Sequence, residues 1–246
     1  MRISVIIATR LQSQLHAGPD ALWLDRALRS VRRQTVAAKL PLEVVAGLDP
    51  GVALPGRFSG VVAANAARPG QSAALNAAVA AAGGEVVAVL EDDDYWEPKR
   101  LEYGLAWLEK HDLVTCNQRE VDADGSFVGV NDYPTPSGWL MRTATWRQVG
   151  PFDESFTFPD SEWLGRANAA RLRRMHLVEV GAPIRPGILQ VARHSAIATT
   201  AERDPLVLRT VNPAGVMGTA RSQPAARLKH EADTQRLVEK YGGIPW

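Results

Sequence analysis

Two hydrophobic periods alternate along the first half of the chain. Ser4 to Ala8, apolar from Val5 on, and the apolar run Val86 to Leu90 predict strands buried on both faces. Leu42 to Gly47 predicts a second strand, ending at the turn Asp49-Pro50-Gly51, and Val61-Val62 a third, weaker one. Between the strands the period changes. Leu24, Ala27, Leu28 and Val31 mark one face of a helix, with Arg26, Arg29, Arg32 and Arg33 on the other. Pro69-Gly70 leads into an alanine-rich helix over 71–82 that Gly83-Gly84 stops. After the Val86 run, Pro98 with Leu101, Leu105 and Leu108 predicts a helix over 97–110.

The second half is less regular. Leu113 to Thr115 predicts a strand, Val121 to Val130 a hairpin around Asp124-Gly125, and Gly138 to Met141 a short strand. Helices are predicted over 143–149 and from Pro159 to about Met175, the latter with Trp163, Ala167, Ala170 and Leu172 towards the core. Ile188 to Val191 reads as a last strand. Residues 195–225 show no firm period and read as a loop or lid. A terminal helix over 227–241 is expected to anchor through Leu228, Ala232 and Val238 and to end at Gly242-Gly243. Strands alternating with helices predict an α/β fold, with a mostly parallel sheet covered by helices on both faces.

The sharpest local feature follows the Val86 run. Glu91, Asp92, Asp93 and Asp94 are four adjacent carboxyl groups, and Tyr95 and Trp96 come next. Like charges at the end of a buried strand repel one another, and a divalent cation would relieve the repulsion. Hard oxygen ligands suit Mg²⁺ or Mn²⁺, which keep positions open for phosphate oxygens. Open α/β sheets bind ligands at the carboxyl ends of their strands. The chemical reading is therefore a metal–diphosphate site; the competing reading is a charged surface turn.

Composition narrows the classes. With 246 residues, 46% hydrophobic and 22% charged, the chain has the make-up of a globular protein and length enough for a real core. One cysteine, Cys116, allows no intrachain disulfide and no zinc site, and reads as a packing residue at a strand end. No stretch approaches the ~20 apolar residues of a membrane span. The expected location is cytoplasmic, with peripheral membrane contact left open. Net charge is +1, but residues 1–163 hold 15 Lys/Arg against 21 Asp/Glu, and residues 164–246 hold 13 against 6. An acidic first part suits a metal site and a basic second part an anion-facing surface, with solvated helix faces as the plain alternative.

Taken in order, SVIIATR, LDPG, RPGQSAALNAAVAAAGGEVVAVLEDDDYWEPKRLE, GPFDESF with PDSEWLGR, and ARHS resemble the segments of a family 2 glycosyltransferase with the GT-A (Rossmann-like) fold. The resemblance spans about residues 3–195. It implies a domain over 1–194, with a nucleotide-binding half (1–110) and an acceptor half (111–194). Residues 195–246 would then be a loop or lid and a C-terminal helical tail packed on the same domain. It also implies Mn²⁺ or Mg²⁺ as cofactor and inverting transfer from a nucleotide diphosphate sugar, UDP leading. The acceptor stays open among a glycan, a lipid phosphate, a peptide, a small molecule and a nucleic acid. Two alternatives remain beside it: a sugar-1-phosphate nucleotidyltransferase, and a non-catalytic nucleotide-sugar or glycan-binding protein.

Residue by residue, the resemblance places Asp93 as principal metal ligand, with Asp94 beside it orienting water or backbone, and His194 as a further metal residue. Glu91 stands where the family has its first aspartate, and Glu91 or Asp92 would face the ribose. Ala8, Thr9, Arg10 and Asp49 would hold the base. Leu75-Asn76 stands where Arg-Asn is common, so one nucleotide contact is missing, with Arg68 or Gln71 to compensate. Asp160 falls at the position of the catalytic base, and Pro159 replaces the acidic residue that commonly precedes it. Glu162 is the alternative base; on a helix the two point about 200° apart, so one acceptor cannot use both. Arg193 is a candidate phosphate contact. Trp139 is a candidate for stacking on a sugar or for core packing. His16 reads as exposed and inert.

Overall fold

The computed structural model describes residues 1–14 and 21–246; His16 lies outside the described residues. In chain order the elements are β1 (Ile3–Ala8), α1 (Trp23–Arg32), β2 (Leu42–Leu48), β3 (Val62–Asn65), α2 (Gln71–Ala81), β4 (Val86–Val89), β5 (Tyr95–Trp96), α3 (Arg100–Leu108), β6 (Leu113–Cys116), β7 (Gln118–Val121), β8 (Phe127–Asn131), β9 (Leu140–Arg142), α4 (Thr143–Val149), α5 (Pro159–Ala169), β10 (Arg174–Val178), α6 (Pro186–Val191), β11 (Ala196–Thr199), β12 (Val207–Thr210), α7 (Val216–Ser222) and α8 (Pro224–Tyr241).

Among the described residues, eight strands form one sheet in the order β11-β10-β6-β9-β4-β1-β2-β3. Every pairing is parallel except those of β9, which runs antiparallel to both β4 and β6. The apolar runs have the cause expected of them. Ile3, Val5 and Ile7 of β1 pack on one face with Leu24, Leu28 and Val31 of α1 and Leu101 and Leu108 of α3. Ile6 packs on the other face with Leu75 and Ala78 of α2 and Trp163 and Leu164 of α5. Gly47 in β2 has a specific purpose: a Cβ there would run into the backbone of Ala74, so the glycine lets α2 lie directly on the strand.

A smaller sheet, in the order β5-β12-β7-β8, sits beyond the acidic turn. β12 pairs antiparallel with β5 and parallel with β7, and β7 pairs antiparallel with β8. The turn 91–94 therefore links the last residue of the large sheet's β4 run to the first strand of the small sheet.

Four expectations give way to the coordinates. The helix from Pro159 stops at Ala169, and Arg174–Val178 is a buried strand inside the large sheet. Ala170 is consequently exposed. Ile188 to Val191 lies in the short helix α6, begun by Pro186 in its first turn; a run of four apolar-rich residues fits either structure. Residues 195–225 contribute β11 and β12 to the two sheets and contain α7, so they are far more ordered than a loop. Finally, Leu228, Ala232 and Val238 of α8 are all exposed. The helix docks instead through Leu237, Asp233 and Tyr241, whose ring lies on Gly165 of α5. Asp233 accepts from the backbone N–H of Thr157 at 2.7 Å. Gly242 does end the helix, in the left-handed conformation, with its N–H on the carbonyl of Val238 at 2.8 Å.

Candidate active site

A cavity of about 510 Å³ opens at the carboxyl ends of β1, β2 and β4. Ala8, Thr9 and Arg10 line it from β1, Asp49 from β2, Gly70 and Gln71 from the start of α2, and Glu91 to Asp94 from the acidic turn. The small sheet and the segment after it close the far side, with Glu120, Val128, Arg209 and residues 210–215. Sheet topology produces this: parallel neighbours all end at one edge, and the loops there converge.

Each carboxylate of the turn has its own tie. Gln71 donates to Glu91 at 2.8 Å, and Thr9 donates to Asp92 at 2.6 Å. Asn212 donates to Asp93 at 2.9 Å. Asp94 is buried to 1% exposure and takes two bonds, from the Ser137 hydroxyl at 2.6 Å and the Thr210 backbone N–H at 2.8 Å. With one bond on each oxygen, Asp94 fixes the turn to the small sheet; that use competes with the place beside the metal expected for it. Arg26 adds a further brace by donating to the backbone carbonyl of Asp93 and to the Thr210 hydroxyl.

Crowding shows in the acidities. Burial, then the charge of Asp93, pushes Glu91 and Asp92 up to about 7. Burial raises Asp93 too, and burial followed by Asp93 and Glu91 raises Asp94 well above the usual carboxylate range. Arg209 answers this charge. Burial works against its guanidinium, but Asp94, Glu91 and Glu120 hold it charged.

The donor set fits a hard divalent cation. Among the described residues no group of three His, Cys, Asp or Glu side chains forms a ready cage. Carboxylate oxygens crowded at one side of an open cavity, their charge opposed by burial, suit an ion that takes one or two protein ligands and fills the rest of its shell with water and phosphate oxygens.

Not every expected residue joins the cavity. Asn76 bridges to the 152–154 loop, donating to the Phe152 carbonyl and to Glu154 and accepting from the Phe152 N–H. Arg68 is paired with the same Glu154. Neither lines the cavity, whereas Gln71 does. His194 is exposed and directly precedes β11, so it sits at the amino-terminal edge of the parallel sheet, opposite to Asp93. Arg193 shares that displacement. Trp139 is fully buried, with its indole N–H on the Pro134 carbonyl at 2.7 Å and its ring 5.0 Å from that of Trp163, and so belongs to the core. Cys116 is buried at its strand end, as expected.

Asp160 and Glu162 part company as the helical angle requires. Glu162 is 1% exposed and is bound by Arg166, Lys240 and Tyr241, a structural clasp between α5 and α8. Asp160 does not line the cavity, but it lies within electrostatic reach of both Glu91 and Arg209. Burial raises its pKa above the usual aspartate value, against the pull of the Ser161 and Asp160 backbone amides and of Arg209.

Sequence reasoning missed Arg209, Asn212 and Glu120, which all touch this site. The available signal was the apolar run Leu206 to Leu208 between Pro205 and Asn212-Pro213, a strand bounded by turn residues.

Residues 59–179 match the family model described as Glycosyl transferase family 2. No curated protein matches the chain. Among solved structures, S. aureus TarS 1–349 in complex with UDP-GlcNAc is 16% identical, with a TM-score of 0.56, over 97% of this chain and 71% of that one. The mannosyltransferase PcManGT from Pyrobaculum calidifontis, in complex with GDP-Man and Mn²⁺, is 14% identical, with a TM-score of 0.58, over 95% of this chain and 64% of that one. At such identities the likeness is one of fold: a mostly parallel sheet between helices, as in these GT-A proteins.

Proposed function

The chain belongs to glycosyl transferase family 2, and from that premise we propose that it moves a sugar from a nucleoside diphosphate sugar to an acceptor nucleophile, with inversion and with a divalent metal. Membership sets aside the nucleotidyltransferase and the non-catalytic alternatives. The observation carrying the finer reading is the convergence of Ala8, Thr9, Asp49 and the turn 91–94 on one cavity. UDP is the leading nucleotide; the UDP-GlcNAc of TarS and the GDP-Man of PcManGT keep uridine and guanosine as the two to test first.

The residues divide the work as follows. Asp49, Ala8 and Thr9 lie where a base and ribose would rest, and Asp49 can accept a ring N–H. Asp93 is the residue that would hold the cation, with Asp92 and Glu91 beside it; when bound, Mn²⁺ or Mg²⁺ would neutralise the departing diphosphate. Arg209 adds fixed positive charge on the same side. Asp160 accepts the proton of the acceptor hydroxyl, and burial suits it to that role by raising its basicity. The half 1–110 supplies the nucleotide side and 111–194 the acceptor side. Among the described residues no helix is long and apolar enough to cross a membrane.

A thermal-shift screen of UDP, GDP and dTDP, each with and without Mn²⁺, tests this reading. One nucleotide should stabilise the protein only when metal is present. No response to any of them would overturn it.

A further inference from the structure

One wall of the cavity has a residue, Glu120, to which the nucleotide, the metal and the base give no part, and Arg209, which faces the diphosphate, stands beside it. The wall comes from the small sheet. Arg209 on β12 stands directly across from Glu120 on β7, and Glu120 stands across from Gly129 on β8. Cross-strand partners present their side chains on the same face of a sheet. Glu120, Arg209 and the neighbouring Val128 all line the cavity.

The bonding of Glu120 is lopsided. The Arg209 guanidinium donates to Oε1 at 2.6 Å, and the Asn131 amide donates to the same Oε1 at 3.0 Å. Oε2 carries neither bond. Arg209 in turn gives Glu120 only its Nη1, which leaves Nε and Nη2 outside that bond. Both side chains are less than a quarter exposed. A Cβ placed on Gly129 would meet nothing within 4 Å, so a side chain at this position, across from Glu120, would have room beside the carboxylate.

Position ties this wall to the diphosphate end of the cavity. Thr210, next to Arg209, donates its N–H to Asp94, and Asn212 holds Asp93. A sugar joined to a diphosphate at Asp93 would therefore extend along the small sheet.

We propose that Glu120 and Arg209 form the recognition site for the ring hydroxyls of the donor sugar. A carboxylate accepts from one hydroxyl while a guanidinium donates to its neighbour, which matches a vicinal diol. Asn131 holds Glu120 in place. This inference rests on the nucleotide-sugar reading above and goes further by naming the part of the donor that this wall reads. A donor lacking one of the two hydroxyls would leave a polar group of the wall unpaired and bind more weakly.

The test compares two affinities in the same protein with Mn²⁺ present: that of UDP-glucose, UDP-GlcNAc or GDP-mannose, and that of the matching nucleoside diphosphate. Glu120→Ala should raise the dissociation constant of the nucleotide sugar about tenfold or more while leaving that of the nucleotide within about twofold. Gly129→Val keeps every charge and suits a strand, so it serves as a second variant should Glu120→Ala fold poorly. It fills the open space and should produce the same selective loss. If both variants leave the ratio of the two affinities unchanged, or weaken nucleotide and nucleotide sugar equally, the recognition site is wrong. If the wild type binds no nucleotide with metal, the glycosyltransferase reading of the cavity fails first.

Discussion

The side-chain amide of Asn212 donates to Oδ2 of Asp93 at 2.9 Å, joining the segment after β12 to the acidic turn. A carboxylate held from one side keeps a fixed direction, so the amide orients the residue that would hold the cation. Groups in this position are commonly worth 10- to 100-fold in metal affinity. Asn212→Ala is expected to raise the Mn²⁺ concentration needed for half-maximal nucleotide binding by about tenfold. Titration of Mn²⁺ at fixed nucleotide measures this, and an unchanged midpoint would show that the contact does not orient Asp93.

The two carboxylates of α5 should separate cleanly on mutation. Asp160→Asn removes the proposed base and should lower turnover by a hundredfold or more, a typical general-base contribution, with nucleotide affinity intact. Glu162→Gln weakens the clasp of Arg166, Lys240 and Tyr241. It should cost roughly 1–3 kcal/mol of stability and leave turnover near that of the wild type. The reverse pattern would make Glu162 the base.

Asp160 also sets a direction for the pH profile. A base works only when deprotonated, so turnover falls as pH drops through its pKa. Burial raises that pKa, which places the acid limb above the usual aspartate value of roughly 4. A kcat profile measured at saturating donor and metal should show this limb, and Asp160→Asn should lack it. A limb at or below the ordinary aspartate value would contradict the assignment.

Parts of this site could be read from residues, and parts could not. The runs at Ser4 to Ala8 and Val86 to Leu90 had one good structural explanation, and the acidic turn after the second of them marked the sheet edge. Asp49 and Thr9 came from the family resemblance, and both line the cavity. The family resemblance put Asp160 ahead of Glu162 as the base; a helical angle says only that the two diverge, and in the fold Glu162 is taken up by Arg166, Lys240 and Tyr241. Arg209, Asn212 and Glu120 escaped because their proximity depends on a parallel pairing between β7 and β12, 86 residues apart at the closest named ends. Local periodicity carries no trace of such a pairing. The helical anchors of α8 failed for a related reason. The helix docks through Leu237, a buried acid and a tyrosine ring, and a search for apolar spacing overlooks the last two.

His176 carries a prediction about stability alone. It is fully buried in β10, beside the Thr115 hydroxyl at 2.8 Å, and burial together with Arg174, Arg185 and Arg100 lowers it to about 3. The unfolded chain binds this proton near pH 6.5, so between about 6.5 and 3 it holds more protons than the folded one. Stability from His176 is therefore full above the unfolded value and is lost as pH falls, at up to about 1.4 kcal/mol per pH unit. Denaturant unfolding of the wild type and of His176→Gln from pH 7 to 4.5 should show the wild type losing stability faster. Parallel curves would mean that the ring takes up its proton in the fold as readily as in the unfolded chain.

The claim on which all of this depends is that Asp93 holds a divalent cation against the diphosphate of a nucleotide sugar. Calorimetric titration of the preferred nucleoside diphosphate into wild type and Asp93→Asn, each with and without Mn²⁺, tests it most directly. The account predicts that Mn²⁺ tightens binding to the wild type by about tenfold or more and has no such effect on Asp93→Asn, which remains folded. Equal enhancement by Mn²⁺ in both proteins, or nucleotide binding to the wild type that ignores the metal, would contradict it.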